Sequence, residues 1–170
     1  MLYTITILLA HFGAFYFTGT WKHWKEYYPT ALFAVIGDFS YNMLFSERFL
    51  WEYKTLFDHR VADMTYAFFV FPCTAMLFLR YYPKGLLREG LYILLWTALY
   101  TVIECISCHI GNLIHYGGWN MFWSFGLYFF AFILIRIHYK KPLIVWPIGL
   151  AFAIAIMIIF HQPFHFSALK

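Results

Sequence analysis

A chain of 170 residues that is 63% hydrophobic and 25% aromatic, with 12% charged residues and a net charge of +4, has too little polar surface for a water-soluble globule and reads as a polytopic membrane protein. Its apolar runs last about 20 residues and lack the alternation of barrel strands, so they match a hydrocarbon core of about 30 Å as helices and exclude a barrel. The small positive charge sits in loops, where a membrane topology requires it, and gives no footprint for nucleic acid.

Six spans are predicted in chain order: Met1 to Gly19, Pro29 to Phe45, Val61 to Tyr81, Leu86 to Ile110, Trp119 to Ile137 and Pro142 to Phe160. The first has no basic residue ahead of its apolar core and no small-x-small cleavage site, so it reads as a retained span. Between spans two and three, Ser46 to Arg60 mixes Phe49, Leu50, Trp51 and Tyr53 with charges, which suits an interfacial segment. Span six has no ionisable residue before His161, and Gly149 and Ala153 permit close helix contact, so it serves as scaffold. The expected fold is all-α, a transmembrane helical bundle forming one domain over residues 1–170, because no linker or low-complexity tract divides it.

Loops one, three and five carry Lys22, Lys25, Arg80, Lys84, Arg88, Arg136, Lys140 and Lys141, against Arg48, Lys54, Arg60 and Lys170 on the opposite side, a bias of 8 to 4. Both termini are therefore expected outside the plasma membrane.

Ionisable groups inside spans are costly and call for a partner, a water-filled cavity or a place near the interface. His11 lies between Thr4 and Thr18 at intervals of seven, and Asp38 lies one turn before Asn42 with Tyr41 nearby. In span four Thr97, Thr101, Glu104 and Cys108 form a stripe, and span five offers Asn120, Ser124 and Tyr128 at fours. With the termini outside, Asp63, Glu104, Cys105, Cys108, His109, His115, Trp119 and Asn120 fall in or near the outer leaflet, with Asp38 and His11 below them. The expected site is an outward-facing cup that binds a small polar molecule or cation for sensing or transport. Asp38 and Glu104 act as charge partners that approach each other or share polar neighbours, and His11, Tyr41, Asn42 and Asn120 complete the lining.

Cys105, Cys108 and His109 spell C-x-x-C-H, the signature of covalent haem attachment. Against that role, the three residues sit in a continuous apolar helix beside Glu104, and no second deep histidine complements His11 for axial ligation. Cys105, Cys108, His109 and His115 also have the ligand types of a zinc site, although a helix holds three of them awkwardly. No H-E-x-x-H, G-x-S-x-G or P-loop sequence occurs, so the cup is not read as an active site. Gly37-Asp38 resembles the Gly-Asp of intramembrane aspartic proteases, with Asp63 as a second carboxylate able to share a proton, but that family's earlier glycine is Val35 here and Asp63 falls near the surface.

The chain also resembles, over nearly its whole length, a family of small polytopic membrane proteins found mainly in Gram-positive spore formers. The likeness is carried by YYPTALF at Tyr27 to Phe33, LWEY at Leu50 to Tyr53, FP at Phe71-Pro72 and LRYYP at Leu79 to Pro83. It continues in ILLW at Ile93 to Trp96, GGWN at Gly117 to Asn120 and HYKKP at His138 to Pro142. The resemblance implies a plasma-membrane protein and a sporulation or germination setting, but no activity, cofactor or ligand. Three readings stay open: a binding cup, a non-catalytic helical partner in a membrane complex or homo-oligomer, and a haem-dependent redox protein using the CISCH segment.

Overall fold

The computed structural model describes residues 2–54 and 59–162. Residues 55–58 of the predicted interfacial segment, and Lys170 of the charge count, lie outside the described residues. The first helix, α1, runs Leu2–Phe17 and ends at Gly19, whose φ of 67° turns the chain into a short 3-10 segment at Thr20–His23. Helix α2 spans Trp24–Leu44, and α3 covers His59–Thr65. A π-turn at Tyr66–Val70 carries α3 into α4, Phe71–Arg80, so that His59–Arg80 is one continuous rod. Helices α5 (Leu86–His109), α6 (Met121–Lys140) and α7 (Pro142–Ile159) complete the bundle.

Four of these rods are long and apolar enough to cross a membrane: His59–Arg80, Leu86–His109, Met121–Lys140 and Pro142–Ile159, with mean hydropathies of 1.5, 1.7, 1.5 and 2.5. Two of the six predicted spans differ for local reasons. The apolar helix Tyr3–Phe17 is shorter. Helix α2 begins at Trp24, five residues before the predicted Pro29, and this start brings Lys25 and Glu26 into a helix that already contains Asp38.

The rod His59–Arg80 is the central one, with 61% of its apolar window buried, whereas α7 buries 11% and α5 22% and turn their apolar residues outward. Ala31 of α2 and Ala75 of α4 are fully or nearly fully buried, and such small residues allow close helix approach where water supplies no driving force between helices. Phe78 fills the space beside them, in contact with Tyr92, Trp96 and Phe132. A second cluster of Phe45, Leu50, Trp119, Ile156 and Met157 closes one end of the bundle.

That end carries the departure from an all-helical fold. Trp51–Tyr53 forms strand β1 and Leu113–His115 forms β2, paired antiparallel with Trp51 opposite His115 and Tyr53 opposite Leu113. The ladder extends outward through Lys54 N donating to Asn112 O at 2.7 Å and Tyr116 N donating to Leu50 O at 2.8 Å. The middle of the segment read as a surface piece is thus a strand, because the turn after α5 supplies it with backbone partners. Tyr41 fixes the ribbon from below. Its hydroxyl accepts from Leu50 N at 3.0 Å and Trp51 N at 3.3 Å, and its ring stacks on Trp51 with centroids 3.8 Å apart.

Candidate functional site

Glu104 lies on α5, 6% exposed, and faces α6 and the ribbon. Ser124 and Tyr128, four residues apart on one face of α6, both reach it. Ser124 Oγ donates to Glu104 Oε1 at 2.5 Å, and the Tyr128 hydroxyl donates to Oε2. His115, at the end of β2, brings its Nε2 to 2.6 Å from Oε1. Trp119 Nε1 donates to Ser124 Oγ at 2.8 Å and fixes that hydroxyl in turn. A carboxylate so placed has the charge-assisted bonds that burial demands. Asn120 serves the same region as a helix cap, its Oδ1 accepting from Phe122 N at 3.0 Å and Trp123 N at 3.4 Å.

One turn beyond Glu104, Cys108 presents its Sγ 3.7 Å from His115 Nε2. Glu104, Cys108 and His115 each offer a ligand atom, and these atoms lie within 4.8 Å of one another. Among the described residues this is the group with metal-ligand composition and spacing. Cys105 and His109 are exposed, so the structure divides the CISCH segment and turns one of its cysteines, not both, toward His115.

Asp38 does not join Glu104. Its carboxyl meets that of Asp63, at the start of the central rod, and Asn42 donates from Nδ2 both to the Asp63 carboxylate and to Asp38 O at 3.1 Å. Asp38 Oδ2 is buried without a hydrogen-bond donor. Beside the pair a cavity of about 280 Å³ has Asn42, Ser46, Arg60 and Asp63 as its polar lining, with Phe39, Met43, Phe49 and Met64 around them. The expected single cup is therefore two polar centres at one end of the bundle, one around Asp38–Asp63 and one around Glu104.

Tyr53 stands between them. It stacks on Tyr66 at 4.6 Å, and its phenol is held well above the ordinary tyrosine pKa, first by burial and then by the negative fields of Tyr66, Asp63, Asp38 and Glu104. His11 is deeper, with Nδ1 2.8 Å from Ile7 O and Nε2 3.2 Å from the Tyr100 hydroxyl, which also meets Thr74. Of the predicted site residues, then, Glu104, Asp38 and Asn42 belong to the two centres, Tyr41 clamps the ribbon, Asn120 caps α6 and His11 serves a separate contact. Reading the sequence missed Tyr53 and Tyr100. The signal was present in 14 tyrosines within an apolar chain, since a buried phenol needs a polar partner.

No known protein family, curated protein or solved structure matches the chain. The class that its apolar helices fit is the integral membrane protein.

Proposed function

We propose that the chain is a six-span plasma-membrane protein, with both termini outside, whose polar end binds a small polar molecule or cation for sensing or transport. The contact between the Asp38 and Asp63 carboxyls carries this reading. Two adjacent carboxylates shielded from water repel when both are ionised, so such a pair is held by a shared proton or a bound cation. The adjoining cavity, lined by Asp63, Asn42 and Ser46, gives a guest polar neighbours and room. The reading assigns no haem to the CISCH segment and no catalytic step to the cup. The spore-former resemblance adds a sporulation or germination setting to it.

The test is thermal unfolding of the full chain in detergent with sodium, potassium, calcium, ammonium and small amino acids as probes. A ligand at about 100 times its Kd stabilises its host by about 2.7 kcal/mol. At least one probe is expected to stabilise the wild type and to lose that effect in Asp38→Asn and Asp63→Asn. Stabilisation by none of them, or equal stabilisation of both variants, overturns the reading.

A further inference from the structure

The geometry points to a transition-metal site at Glu104, Cys108 and His115, selective for zinc-like divalent ions over magnesium and calcium. The inference rests on the reading of this end as a binding cup and names what its second centre takes. Glu104 and Cys108 are four apart on α5 and so project from one face of the helix. The β2 strand then folds back and lays His115 across that face, with Nε2 2.6 Å from Oε1 and 3.7 Å from Sγ. Zinc bonds of about 2.0 Å to nitrogen or oxygen and about 2.3 Å to sulfur place tetrahedral ligand atoms roughly 3.3 to 3.6 Å apart. The sulfur to nitrogen spacing already matches, and the carboxylate and imidazole must separate by several tenths of an ångström as the ion replaces the proton between them.

The donor set decides the metal. A thiolate and an imidazole favour zinc and its neighbours, whereas magnesium and calcium require oxygen ligands. The outer layer that such sites need is also in place, because Ser124 and Tyr128 hold the carboxylate and Trp119 holds Ser124. Three protein ligands leave a fourth position open, as in sites where water or a guest exchanges. His115 retains 16% side-chain exposure, so the ion has a path from the end of the bundle. On binding, the Cys108 thiol releases its proton to solvent as the sulfur–metal bond forms. The proton between His115 Nε2 and Glu104 is exchanged through solvent for one on Nδ1, so His115 binds as the neutral ring through Nε2 and the net release is the thiol proton.

The experiment titrates zinc, and separately cobalt(II), into the full chain in detergent with Cys105→Ser as the background, which leaves the described half-buried thiol of Cys108 in place. One zinc per chain is expected, undisturbed by excess magnesium or calcium and accompanied by proton release that scales with buffer ionisation enthalpy. Cobalt should give a thiolate charge-transfer band in the near ultraviolet. Cys108→Ser, which changes little in size, should abolish that band and weaken zinc on the order of 100-fold, and Ser124→Ala should weaken it about 10-fold through the carboxylate. His109→Ala should leave affinity unchanged. Absence of saturable zinc binding, or zinc binding and a cobalt spectrum indifferent to Cys108→Ser, overturns the metal site. Either result leaves the wider cup standing as long as the probes of the Asp38–Asp63 centre still stabilise the chain.

Discussion

Replacing Glu104 by Ala removes the acceptor for three side chains at once: Ser124, Tyr128 and His115. Interhelical hydrogen bonds in membrane proteins average about 0.6 kcal/mol and reach about 1.7, and bonds to a charged partner run to about 3 kcal/mol. Three such bonds, two of them to α6 and one to the ribbon, amount to a loss of about 2 to 5 kcal/mol. Thr101 supplies the internal control. It lies one turn away on the same helix, but its hydroxyl bonds to Thr97 O at 2.8 Å, within its own helix. Thr101→Ala should therefore cost less than about 1 kcal/mol. Both variants can be compared by reversible unfolding in mixed micelles, followed by tryptophan fluorescence. A cost for Glu104→Ala no greater than that of Thr101→Ala would refute the assignment of Glu104 as the hub joining α5, α6 and the ribbon.

Tyr41→Phe keeps the stack on Trp51 but orphans two amides, so a loss of about 1 to 3 kcal/mol is expected, with faster hydrogen exchange at Leu50 and Trp51 as the reporter. The Lys54 ammonium, and then the Tyr116 hydroxyl, hold the Glu52 carboxyl below its ordinary value. The folded ribbon thus binds that proton less tightly than the unfolded chain does. Its contribution should be full above the ordinary carboxylate pKa of about 4.3 and should fade as pH falls below it. Trp51 emission should follow that loss in the wild type and not in Glu52→Gln. A reporter active only in the cytoplasm, fused after Lys170, should be silent; activity there would reverse the orientation proposed from the basic-residue bias.

Much of the helical layout was legible because lipid permits few alternatives. The long apolar runs at Leu86 and Pro142 began where expected, since Gly85 and Lys141 break the preceding chain. Glu104 was legible as well, as the one carboxylate in a stripe of Thr97, Thr101 and Cys108. Its partners were harder to read. Three-residue strands such as Leu113–His115 are too short to show alternation, and their pairing with Trp51–Tyr53 depends on a distant segment, so nothing local announced that His115 would return over α5. Asp38 and Glu104 were expected to meet because each lies on a polar helix face and neither can face hydrocarbon without a partner. The partner of Asp38 is instead Asp63, near the start of the central rod, legible as a second carboxylate beside Gly37-Asp38 but expected near the surface. The start of α2 was misjudged because Pro29 reads as a helix beginning, yet it lies inside the helix.

The ribbon also sets a schedule for biosynthesis. Glu52 and Tyr116, hydrogen-bonded across it at 3.1 Å, are 64 residues apart. At a synthesis rate of about 5 to 20 residues per second, the first strand waits roughly 3 to 13 seconds for its complement. During that interval the Asp38–Asp63 contact can form, because α2 and α3 are already made, whereas the Glu104 centre lacks His115, Ser124 and Tyr128. A chain truncated at Gly111 and released into the membrane would therefore hold the Asp38–Asp63 contact and a Glu104 carboxylate without its three partners.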